Sequence, residues 1–110
     1  MTIGDWLARR APRPPAALLR SLEQALGDAL ALPASGATDA CLRAAERLVD
    51  ELLRTNCSTR RSALDLLTAD ALVTYGFEAA AESPADLAPR AAEAMRRIAS
   101  LAAPREGATA

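Results

Sequence analysis

The chain has 110 residues, 51% of them apolar, and a formal net charge of −1. That length suits one domain burying roughly two-thirds of its unfolded surface, so no disulfide or metal staple is required, and the balance indicates neither disorder nor attraction to polyanions. All 13 cationic side chains are Arg and there is no His, which removes the commonest general base and zinc ligand and every lysine-based chemistry.

Ile3 to Arg10 reads as a short helix carrying Trp6 and Leu7 on one side, with Trp6 expected to dock on the core as a lid. The stretch Ala11 to Pro15, APRPP, breaks it, and Pro15 suits the first turn of the next helix. The second helix is predicted from about Pro15 to Leu32. Leu18, Leu22, Leu26, Ala29 and Leu30 recur at three- and four-residue spacing along one stripe. Gly27 either weakens this helix by about 1 kcal/mol or lets a neighbour approach closely. Pro33 ends it, and Pro33 to Thr38 reads as a loop.

A third helix is predicted from Thr38 to Thr55, with Cys41 or Leu42, Ala45, Leu48, Val49 and Leu52 facing inward. Arg47 with Glu51, and Asp50 with Arg54, form four-residue charge pairs on its outer side, each contributing a few tenths of a kcal/mol. Asn56 can close this helix in the left-handed region, and Ser58 or Thr59 can cap the next. The short link makes the third and fourth helices neighbours.

The fourth helix, Ser58 to Glu82, is the longest and is predicted to be central. Leu66, Ala69, Val73, Phe77 and Ala80 form one apolar face, and Leu64, Leu67, Ala71, Leu72 and Tyr75 another. A helix apolar nearly all round is usually buried. Asp70, Thr74 and Glu78 run between the faces, and Gly76 sits mid-helix where it allows close packing. A fifth helix starts near Ser83-Pro84-Ala85-Asp86, and Pro89 requires its start to slip toward Asp86 or the helix to kink. Leu87, Ala91, Met95, Ile98 and Ala102 form its stripe. Strand signals are nearly lacking. The expected fold is all-α, a compact bundle of four main helices plus the short N-terminal one. It forms a single domain over 1–103, with a flexible tail over 104–110.

Three groups of residues carry candidate chemistry. A buried Asp70–Thr74–Glu78 seam needs partners, either Arg47 or Arg97 within the fold or a polar surface on another protein. Asp70 and Glu78 lie about 12 Å apart along the axis, too far to share a proton or an ion. Arg54, Arg60 and Arg61, with Ser58 and Thr59 at a helix N-terminus, form either a solvated basic corner or an anion site. Cys57 beside Arg60 and Arg61 has a setting that lowers a thiol pKa, although it lacks a His base. If the third helix joins them, Cys41 and Cys57 stand about 24 Å apart, so no internal disulfide is expected. Two thiols without His also make no four-ligand zinc site.

Apolar runs of only a few residues exclude a membrane span. Asp5, Arg9 and Arg10 interrupt any N-terminal signal core, and the expected location is the cytoplasm. No cofactor and no nucleic-acid partner is expected, because the domain is slightly acidic and no aromatic side chain lies among the arginines.

Leu66 to Glu82, LLTADALVTYGFEAAAE, resembles a helix of the trans-isoprenyl diphosphate synthases, where a run of the type L-A-G-D-A-L-L-x-x-A-F-E follows the first aspartate-rich motif. Ala69, Asp70, Ala71, Leu72, Phe77 and Glu78 match at the same spacing, with Ala69 in a position usually held by Gly. The family's D-D-x-x-D motif, which binds the magnesium ions that hold the diphosphate, has only Asp50 and Glu51 in its place, and the second such motif is missing. The resemblance therefore implies a helical scaffold without the catalysis, such as an accessory subunit associating with an active synthase. The expected function is a non-catalytic helical interaction or accessory protein. The alternatives are a structural homodimer that buries a spare apolar face, or an anion- or diphosphate-binding domain.

Overall fold

A computed structural model describes residues 1–55 and 59–102 of the chain. Five α-helices occur among the described residues: α1 (Ile3–Ala8), α2 (Ala16–Leu26), α3 (Ala37–Thr55), α4 (Arg60–Ala81) and α5 (Leu87–Ala102). Short 3₁₀ turns cover Gly27–Ala31, Ala34–Gly36 and Pro84–Asp86. No strand occurs among the described residues, and the one β-bridge joins Thr2 to Pro33. The fold is all-α. The chain divides into two units, Met1–Ala79 and Ala80–Ala110.

The first unit is built on α1. Thr2 caps it: the Asp5 N–H donates to Thr2 Oγ1 at 3.1 Å, and the Thr2 N–H returns a bond to Asp5 Oδ2 at 3.0 Å. This reciprocal box satisfies two donors that a helix start leaves without partners. These bonds, first from the Thr2 backbone and then from its side chain, hold the Asp5 carboxyl below its ordinary value of 3.8, aided by the N-terminus and Arg9 and opposed by slight desolvation. A depressed carboxylate stabilises the fold above its unfolded pKa, and the contribution is lost as pH falls through the folded pKa. Thr2→Ala removes the side-chain cap on the Asp5 N–H and should cost about 1 kcal/mol. Asp5→Asn, which removes the titrating carboxyl itself, should flatten the acid limb of a stability-versus-pH curve below about pH 4, as urea titrations at several pH values would reveal. An unchanged acid limb would show that the box does not set it.

Segments that follow α2 hold α1 in place. The Ile3 N–H donates to Leu32 O at 2.8 Å and the Ala34 N–H to Met1 O at 3.0 Å. Ile3, Trp6 and Leu7 are thereby driven into a core with Leu22, Leu26, Ala37, Cys41, Ala44, Ala45 and Leu72. Trp6 belongs to this core and does not lie over it as a lid.

The second helix stops six residues short of the predicted Leu32. Gly27 has φ +52° and no neighbouring atom within 4 Å of a built Cβ. It thus ends α2 through backbone freedom and does not admit a close neighbour. The apolar period nevertheless continues through the 3₁₀ turn, where Leu30 packs on the core. Pro15 occupies the position before the first helical residue, with φ −54° and no side-chain cap.

Gly76 matches the expectation of close packing. A Cβ there would lie 3.2 Å from Leu42 Cδ2 and 3.5 Å from Cys41 Cβ, so α3 and α4 cross where α4 has no side chain. Thr68, fully buried, lies beside the α2 surface with its hydroxyl 2.7 Å from Ser21 Oγ and 2.7 Å from Leu64 O. The buried side of α4 is therefore Thr68, Ala69, Leu72, Gly76 and Ala79, mostly small residues that let three helices approach it.

The predicted all-round burial of α4 is corrected by the other side. Leu66, Leu67 and Phe77 are 60%, 59% and 66% exposed. With α1, α2 and α3 all on one side of α4, the opposite side has no packing partner within the first unit.

In the second unit, Ser83 precedes the Pro84–Asp86 turn without a side-chain cap, and the α-helix proper begins at Leu87. Pro89 thus falls in the first turn, where its missing N–H leaves no helical bond unmade. Leu87, Met95 and Ile98 on the α5 stripe are exposed.

Candidate functional site

The predicted seam is not a buried feature. Asp70 and Thr74 lie on the exposed side of α4, where the Thr74 hydroxyl donates to the Asp70 carbonyl at 3.0 Å. Neither carboxylate depends on Arg47, whose Nη2 donates to Ala25 O at 3.2 Å and so fastens α3 to the last turn of α2. The predicted Arg47–Glu51 pair is thereby replaced, because a helix C-terminal carbonyl is the better-placed acceptor. The Asp50–Arg54 pair forms at 2.6 Å on the surface, where such pairs contribute little.

Glu78 instead meets Arg10. Arg10 Nη1 stands 3.8 Å from Glu78 Oε2, and the Arg10 guanidinium carbon lies 4.4 Å from the Trp6 ring centroid. Trp6 in turn meets Tyr75 edge-on, with centroids 6.3 Å apart and planes at 85°. Burial raises the Tyr75 pKa above its usual range, and the Glu78 charge adds to the rise while Arg10 opposes it. Trp6, Arg10, Tyr75 and Glu78 therefore form one layered contact between α1 and α4. Its chemistry is that of a stabilising joint: an edge-to-face ring pair, a cation over an aromatic face and a half-exposed ion pair.

Of the predicted arginine corner, Arg54, Thr59, Arg60 and Arg61 lie among the described residues. Arg54 is bonded to Asp50. Thr59 caps α4, its Oγ1 accepting from the Ser62 N–H at 3.2 Å. Arg60 is exposed. Arg61 lines a cavity of about 210 Å³ with Arg20, Ser21, Gln24 and Asp65, between α2 and α4. Ser58 and Cys57, and the helix-closing role of Asn56, lie outside the described residues. Cys41 is buried, and desolvation raises its thiol pKa to about 11, so it is protonated and unreactive at neutral pH.

A concavity with an apolar lining lies elsewhere. Leu42, Ala45, Val49 and Leu53 of α3 and Val73 of α4 line a groove of about 400 Å³, with Glu46 and Asp50 along it. Leu53 is 77% exposed. Leu66 and Phe77 lie on the same flank of α4 as Val73, at spacings of seven and four residues that return to one side of a helix. Leu66, Val73 and Phe77 already read as one apolar face in the sequence. The signal passed over was Leu53, four residues beyond Val49 and apolar next to Leu52, which widens the α3 stripe past what one core needs.

Among the described residues, no helix is long and apolar enough to cross a membrane, and no group of three or more Cys, Asp or Glu side chains is placed to hold a metal ion. No family model, curated protein or solved structure matches the chain.

Proposed function

We propose that the protein is a non-catalytic helical interaction module of the cytoplasm, working through the α3/α4 groove and the stripe of α5. One observation carries this reading. The first unit buries Ile3, Leu22 and Leu72 completely, yet leaves Val49, Leu53, Leu66 and Phe77 exposed along neighbouring helices. Contiguous apolar surface on a protein whose core is already satisfied marks an association surface. The α5 stripe repeats the pattern, since an amphipathic helix presents apolar anchors at three- and four-residue steps to a receiving groove.

The resemblance of Leu66–Glu82 to a helix of the isoprenyl diphosphate synthases suggests a helical synthase as one class of partner in an accessory-subunit role. The test is capture from native lysate on the immobilised full chain, in parallel with Leu53→Asp. A stoichiometric partner held by the wild type and lost from the variant is the expected result. Equal capture by both, or none by either together with a strictly monomeric chain, would overturn the reading.

A further inference from the structure

We propose that the cavity between α2 and α4 is a binding site for a small carboxylate that also carries an ammonium group, an acidic amino acid. This cavity shares no lining residue with the α3/α4 groove. Its polar groups converge from two helices: Arg20, Ser21 and Gln24 from α2, and Arg61 and Asp65 from α4. The four-residue steps from Arg20 to Gln24 and from Arg61 to Asp65 bring each pair back to one side of its helix. The wall between them is fixed. Thr68 is fully buried, with its hydroxyl 2.7 Å from Ser21 Oγ and 2.7 Å from Leu64 O, and Ser21 and Leu64 both line the cavity. A site already formed costs a ligand less ordering than one it must assemble.

The charges of this cavity are uncommitted. Among the described residues, nothing forms a hydrogen bond or ion pair with the side chains of Arg20, Arg61 or Asp65. Two guanidiniums against one carboxylate leave the lining net positive, and the guanidinium fork matches the two oxygens of a carboxylate. Asp65 only accepts, so it calls for a donor on the same ligand, and an ammonium supplies one. A ligand with negative charge alone would meet Asp65 as a like charge, which selects against phosphate and simple dicarboxylates. The volume of about 210 Å³ equals that of about seven waters at about 30 Å³ each, the scale of an amino acid and too small for a nucleotide.

The experiment titrates the full chain with L-glutamate, and separately with glutarate, which lacks the ammonium, at low ionic strength while amide chemical shifts are followed by NMR. Glutamate should shift amides of α2 and α4 around the cavity and bind about tenfold more tightly than glutarate, because a site built to receive a donor rejects the analogue without it. Arg61→Gln should weaken both ligands. Asp65→Asn should lower glutamate affinity by about tenfold and leave that of glutarate unchanged or raised, a split that a merely structural role of Asp65 would not produce. Arg61 is exposed and Asp65 is only partly buried, so both variants should keep the helical circular-dichroism signal. Glutarate binding as tightly as glutamate, or glutamate affinity unchanged in Asp65→Asn, would overturn the proposal. So would the absence of any shift in α2 and α4 at millimolar glutamate. Neither variant alters the groove, so the lysate test with Leu53→Asp stands or falls separately.

Discussion

Trp6→Ala should produce the largest stability loss of any single substitution in the first unit, about 3–5 kcal/mol. The indole is only 6% exposed, so truncation removes its apolar burial and leaves a cavity. It also removes the edge contact to Tyr75 and the face on which Arg10 rests. Arg10 would then sit beside Glu78 without its aromatic support. Trp6→Phe should recover much of the loss, because it keeps a ring facing Tyr75. Trp6 is the only tryptophan, so the variants need urea unfolding followed by circular dichroism. Against a total of about 5–15 kcal/mol for a small domain, a loss of this size should leave a visible unfolded population in mild denaturant. A loss under about 1 kcal/mol would mean that α1 does not dock as described.

A second expected result separates two leucines of one helix. Leu72→Ala should cost about 2–5 kcal/mol, because the side chain is fully buried against α1, α2 and α3 residues. Leu66→Ala, six positions earlier on the opposite side, should stay within about 0.5 kcal/mol in the monomer, since its side chain is already largely in water. Trp6 fluorescence can report both urea midpoints, and an unchanged m-value would show that only stability moved. Equal costs would place both sides of α4 in a core and remove the basis for the groove.

Much of the architecture was legible in the sequence. The all-α class and the five helix starts, each to within a turn, followed from hydrophobic period and local caps, each set within a turn or two of chain. The Pro84 start, the slip of α5 to Leu87, and the tight fit at Gly76 are all of this kind. The misreading at Gly27 has a different origin. Its apolar period runs on through Leu30 although the backbone leaves the α-helix, because a 3₁₀ turn keeps nearly the same side toward the core for a few residues.

The polar residues of α4 were less legible. Glu78 finds its cation in Arg10, far away in the chain, while Arg47 goes to a backbone carbonyl of α2. Neither pairing has a local cue.

The sharpest division runs through α4 itself. Its length, its cap at Thr59 and its two apolar sides belong to the sequence, because each depends on residues within a few turns of one another. Which side is buried depends on α1, α2 and α3 converging on Thr68, Leu72 and Gly76 from distant parts of the chain. The buried strip cuts across both predicted faces, taking Ala69 from one and Leu72 from the other and leaving Leu67 in solvent. Small residues prevail along it, since only there can three helix backbones approach. The side bearing Leu66 and Phe77 was left as surface.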